Sequence, residues 1–103
     1  YEPVEIKIPS KMVIASDREK VYFSGVVSVK IKDPEKAYTT VENFEASVLK
    51  SILDLTEEKI KKNKYLDIKK NKKEFDEEIT KKLRYNAEIW GLEVKRVKLN
   101  VDH

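Results

Sequence analysis

The chain contains no cysteine, which removes a disulfide framework, an iron–sulfur cluster and a thiolate nucleophile together. Its one histidine is the last residue, His103. A histidine at a chain end is expected to be mobile and makes a poor positioned base. Without a second histidine or a cysteine, no serine has an obvious activating partner. The His and Cys clusters that hold zinc are also missing. The two glycines, Gly25 and Gly91, stand too far apart to form a phosphate-cradling loop. No apolar run approaches the roughly 18–20 residues that span a bilayer, and no secretory leader pattern opens the sequence. These absences leave no candidate catalytic, cofactor-binding or metal-binding residue.

What remains is charge and pattern. Hydrophobic residues make up 40% of the 103 positions and charged residues another 40%. That is enough apolar material for the core of one domain, under a heavily charged surface. Lys and Glu abound while Gln is absent, a bias shared by hyperthermophilic proteins and, for Lys, by AT-rich genomes. The net charge of +3 is unevenly placed: Lys59 to Lys73 holds eight lysines and one aspartate. Those lysines are Lys59, Lys61, Lys62, Lys64, Lys69, Lys70, Lys72 and Lys73, a candidate contact for anionic lipid headgroups or another anion. The plainer reading of the same segment is a solvated helix end and loop. Tyr65 is its only aromatic, so the stacking platform of single-strand nucleic-acid binders is missing. A nucleic-acid partner is therefore the less favoured alternative.

Hydrophobic period gives the elements. Val4, Ile6 and Ile8 alternate with Glu5 and Lys7, and Pro9-Ser10 is expected to interrupt that strand. Met12 to Ala15 is a second short apolar run, followed by a polar turn around Asp17. Val21, Phe23, Val27, Val29 and Ile31 then share one face of a longer strand, with Gly25 in the same row. A hairpin about Asp17 follows. Asp33-Pro34 starts a short helix to about Thr40. Asn43 is a second candidate cap, ahead of Val41, Phe44, Val48, Ile52 and Leu55 at helical spacing. Phe75, Ile79, Leu83, Ala87 and Trp90 form the stripe of another helix, and Gly91 ends it. Trp90 is expected in the core. On that helix Glu77–Lys81 and Glu78–Lys82 are spaced as ion pairs, and Glu57-Glu58 likewise has lysines four residues on. Leu92 to Val101 reads as a last strand. Strands, then helices, then one strand give an α+β domain: an antiparallel N-terminal sheet with a hairpin, two to three helices and a C-terminal strand.

In this order the motifs become familiar. Ile8-Pro9, then Asp17, then a strand closing on Lys32-Asp33-Pro34-Glu35-Lys36-Ala37, resembles the strand–turn–strand entry of stomatins. Trp90-Gly91-Leu92-Glu93-Val94-Lys95-Arg96-Val97-Lys98-Leu99 is similar to that family's Trp-Gly-Ile-x-Val-x-x-Val-x-Ile segment. Leu49-Lys50-Ser51-Ile52-Leu53 sits where stomatins carry Leu-Arg-x-x-Leu-Gly. The chain thus resembles the stomatin–prohibitin–flotillin (SPFH, band-7) family over nearly its whole length. Arg18, Lys50 and Asp54 stand where the family has Gly, Arg and Gly.

The resemblance implies a non-enzymatic scaffold that organises membrane microdomains or holds partner proteins, among them membrane proteases. It implies no catalytic residue, cofactor or metal. It also implies that residues 1–103 are a single domain of a longer membrane-anchored protein, soluble as this piece, with an apolar anchor before it and a coiled coil after it. Copies of the chain are the expected partner, with weak contact in this piece. The final strand and the helix end before it are the candidate surface, through Trp90, Leu92, Val94, Arg96 and Lys98.

Overall fold

The computed structural model describes residues 3–39 and 43–103. Two long strands, β1 (Val4–Ile14) and β2 (Lys20–Ile31), open the chain as an antiparallel hairpin. Four helices follow among the described residues: α1 (Pro34–Thr39), α2 (Phe44–Lys61), α3 (Tyr65–Lys70) and α4 (Lys72–Ile89). Strand β3 (Leu92–Asp102) then returns to β2, and the sheet order is β1-β2-β3. The fold is α+β, as the pattern predicts. Val41 and Thr40, which the sequence reading places at the start of one helix and the end of another, lie outside the described residues.

The alternation in β2 explains the sheet's two faces. Val21, Phe23, Val27 and Val29 are fully buried beneath the helices, while Tyr22 on the opposite face is exposed. Val48, Ile52 and Ile60 of α2 and Phe75, Ile79, Leu83 and Ala87 of α4 close the same core. Helix α2 lies over β1, α4 lies over β3, and the two helices pack on each other. The hydroxyl of Thr56, fully buried in α2, has no hydrogen-bond partner among the described residues.

Local chemistry sets the element ends. Asp17 Oδ1 accepts from the Glu19 amide at 3.4 Å in the hairpin turn. Arg18 takes the left-handed conformation with φ 68°, which is costly for a residue with a Cβ. Asp33 Oδ1 accepts from the Lys36 amide and caps α1, and Asn43 Oδ1 accepts from the Ala46 amide and caps α2. Gly91 stops α4 with φ 69°, and its carbonyl accepts from the amides of Lys32 and Asp33, both at 2.9 Å. An added Cβ at Gly91 would come within 2.6 Å of the Asp33 carbonyl oxygen. One glycine therefore ends the helix and ties it to the exit of β2.

Three expectations are corrected. Pro9-Ser10 does not divide the N-terminal segment: β1 runs through it, with a register shift between Ile8 and Lys11. A bulge accommodates a residue that cannot donate to the ladder. The Lys-rich segment contains a further helix, α3, held to the core by Ile68. Trp90 is only partly buried; it is the residue that follows α4, and it packs against the core.

Candidate functional site

Two surface regions hold the candidate residues: the corner made by the Lys-rich segment, and the outer edge of β3. Their placement follows from the register. Val4 pairs with Val29, which pairs with Val94, while Met12 pairs with Tyr22, which pairs with Asp102. The chain thus enters the sheet at one end and leaves at the other, about 23 Å away along the strand direction for a separation of seven residues in β2. The Lys-rich corner sits at the exit end, where Ser16 of the hairpin donates its amide to the Asn63 carbonyl at 3.0 Å.

Part of that corner is already committed. Lys59 is ion-paired with Glu78 and lies 5.8 Å from the centre of the Phe75 ring. Lys62 pairs with Glu58 at 2.7 Å. Lys72 holds both oxygens of Asp76 at 2.8 Å. Lys61, Lys64, Lys69, Lys70 and Lys73 are exposed, beside the exposed Leu66 of α3. The carboxyls of Glu78 and Glu58 are held below their ordinary range, chiefly by the hydrogen bonds from Lys59 and Lys62. The Glu78–Lys82 pair read from helical spacing gives way to Glu78–Lys59, because α2 and α4 pack side by side. Glu57 likewise turns to Lys11 of β1, at 2.8 Å. Neither partner choice was accessible from spacing within one helix.

His103, expected to be mobile, is held at the exit end. Its ring stacks on Tyr65 with centroids 4.8 Å apart, and its Nε2 meets the Glu19 carboxylate. It joins the end of β3 to α3 and to the hairpin.

At β3 the five candidate residues separate. Leu92 and Val94 are buried against the helices, so what they could offer a neighbour is backbone. Arg96 and Lys98 are exposed on the face turned away from the helices, opposite Ser28 and Val26. Trp90 stands apart from both, at the end of α4. The register of β3 shifts at Lys95, since Ser28 pairs with Arg96 and Val29 with Val94. Beyond that shift, Arg96 to Asp102 runs regularly along β2 and forms the sheet's margin.

Helix α4 guards this margin with two side chains. Lys72 Nζ donates to the Leu99 carbonyl at 2.8 Å, and Arg84 Nε donates to the Val94 carbonyl at 3.4 Å. These contacts join residues far apart in sequence, and only the fold reveals them. Among the described residues no cluster of His, Cys, Asp and Glu could hold a metal ion, and no helix is long and apolar enough to cross a membrane.

The described residues form an antiparallel sheet with helices on one face and β3 at one margin. The SPFH domain / Band 7 family profile matches residues 2–101, and the chain belongs to that family. Among curated proteins, none matches the chain significantly. The family is in general membrane-associated and of non-enzymatic scaffold type.

Proposed function

We propose that this chain is a non-enzymatic, membrane-associated scaffold and self-assembly domain that organises membrane microdomains or holds partner proteins. The observation that carries this reading is family membership over residues 2–101. The geometry supports it in two ways. The chain enters and leaves at opposite ends of the sheet, so the domain suits a link between a membrane anchor before Val4 and an assembling segment after His103. The margin of β3 is proposed as the place where copies meet, with Arg96 and Lys98 beside it and Trp90 apart from it at the end of α4. Contact between isolated domains is expected to be weak, and tethering on a membrane raises its effective concentration. A membrane protease or another membrane protein is the further partner that the reading implies.

The exposed lysines of the corner are proposed to contact anionic headgroups. A body lying along the bilayer would bring them to the surface. A body standing on its entry end would hold them far beyond the ~8 Å over which such charges act at physiological salt. Co-sedimentation of the 103-residue chain with vesicles containing phosphatidylserine separates these arrangements. Binding that is lost with Lys64, Lys69, Lys70 and Lys73 changed to Glu supports the lying arrangement. The scaffold reading itself is tested by adding the native flanks: assembly on membranes should increase strongly. No gain in assembly with the flanks present would overturn it.

A further inference from the structure

The register of β3 permits a sharper statement, which rests on the self-assembly reading above. We propose that a second copy of this chain adds to the margin of β3 as an antiparallel strand, about a two-fold axis at Leu99, once Lys72 releases the Leu99 carbonyl.

Backbone direction decides which groups of β3 point outward. An added Cβ on Gly25 would lie 2.0 Å from the Lys98 carbonyl oxygen, so that carbonyl points toward β2. In an antiparallel ladder the two backbone groups of one residue point the same way, and the direction alternates along the strand. Val97, Leu99 and Val101 therefore turn their amides and carbonyls away from β2. The bond from Lys72 to the Leu99 carbonyl agrees with that assignment. These are the groups that an added strand would use.

Side-chain order then selects the register. With Leu99 opposite Leu99 of the second copy, Arg96 faces Asp102, Val97 faces Val101, and Lys98 faces Asn100. Symmetry repeats each pair on the other side of the axis. Opposite charges meet on the outer face and apolar side chains meet on the helix-facing side, both favourable cross-strand arrangements. Moving the axis to Lys98 sets two lysines against each other, a repulsive pair. Moving it to Asn100 retains a Lys98–Asp102 pair but leaves Arg96 without a partner and shortens the ladder. Space is also present. A groove of about 410 Å³ runs between α4 and β3, lined by Asp76, Thr80 and Arg84 on the helix and by Val97 on the strand. It would receive the helix-facing side chains of an added strand.

Lys72 is the obstacle and the control. Its ammonium occupies the carbonyl at the centre of the proposed axis and is steadied by Asp76. Pairing replaces that contact with two hydrogen bonds between the Leu99 residues and leaves Lys72 on Asp76 alone.

Sedimentation equilibrium and cross-linking test this together, on the 103-residue chain up to millimolar concentration. Arg96→Asp and Asp102→Arg should each raise the dimer Kd roughly tenfold, and the double exchange should restore it. Since the chain has no cysteine, an oxidised mixture of Lys98→Cys and Asn100→Cys proteins should cross-link more than either alone. Cross-linking of Asn100→Cys alone, or of Lys98→Cys alone, would show another register and overturn the proposal. Dimerisation unaffected by the charge exchanges would overturn it while leaving self-assembly standing. A chain that stays monomeric at millimolar concentration, and equally with Lys72→Met, overturns this pairing; failure of the flanked protein to assemble on membranes overturns the scaffold reading separately.

Discussion

The sheet has two margins, and they are closed to neighbours by different means. Strand β1 carries its obstruction in the covalent chain. Pro9 has no amide to donate, and the shift between Ile8 and Lys11 breaks the ladder near the middle of an eleven-residue strand. Its helix-facing Lys11 is also tied to Glu57 of α2. Strand β3, of equal length, has its only shift near one end. Its regular part is covered at one point by Lys72, while Arg84 covers Val94 on the far side of the shift. An obstruction in the backbone is permanent, whereas a side-chain contact can be given up. The two margins thus differ in reversibility, and a domain that assembles needs at least one margin of the second kind.

The largest way to break this comparison is to detach β3 altogether. Gly25 sits between Ile8 and Leu99 in the middle of the sheet. A methyl group there would lie 2.0 Å from the Lys98 carbonyl oxygen, a backbone atom that cannot move aside cheaply. Gly25→Ala is expected to cost about 3 kcal/mol or more, at the upper end of single-residue effects. Urea unfolding would measure the loss, and hydrogen exchange should show β3 opening first. Unchanged stability would mean that β3 does not approach β2 as described.

The second test removes the reversible cover. Lys72→Met keeps the aliphatic stem and loses the donor. Stability should fall by about 1–2 kcal/mol, toward the low end of the roughly 1.5–3 kcal/mol of hydrogen bonds to charged groups, because Lys72 is partly exposed. Association at high concentration should rise, because the Leu99 carbonyl is released. Unfolding curves and sedimentation read the two effects separately. A drop in association would show that Lys72 supports the contact between copies rather than blocking it.

Pro9→Ala examines the other margin with a smaller effect. Pro9 is exposed, so stability should change by less than about 0.5 kcal/mol. Association should not change, since the bulge still interrupts β1. An increase matching that of Lys72→Met would show that proline alone separates the two margins.

Much of this fold was legible in the sequence because local signals agreed with one another. The alternation of β2, the Asp33 and Asn43 caps, the Phe75–Ala87 stripe and the Gly91 stop each report a preference satisfied within a few residues. The bulge at Pro9 was misread as a break because a proline excludes one ladder bond without saying whether the strand resumes. Helix α3 was hidden among lysines, with Ile68 alone buried in it. The cover on β3 had no sequence signal at all. Lys72 and Leu99 meet only because α4 crosses the strand, so the most informative feature of the candidate site is a tertiary one.

Acid is expected to loosen the α4 side of the sheet before the β1 side. Glu78, Glu58 and Glu93 have carboxyls lowered from an ordinary value of 4.5, chiefly by hydrogen bonds from Lys59, Lys62 and Lys95 respectively. A carboxyl lowered in the folded state binds protons less readily there than in the unfolded chain. Its contribution is therefore fully present above about pH 4.5 and is lost as pH falls through the lower folded value. All three groups lie at the surface, so the effect is small and screened by salt. Stability should be level from pH 7 to about pH 5 and then decline. Glu78 is on α4 and Glu93 on β3, and Glu78 joins α4 to α2 through Lys59. Acid should thus raise hydrogen exchange in α4 and β3 before it does so in β1. Glu78→Gln should flatten part of the decline, and 0.5 M salt should flatten it further. Earlier opening of β1 would show that the Glu78–Lys59 pair does less to hold the α4 side of the sheet than the contacts of β1 do on the other.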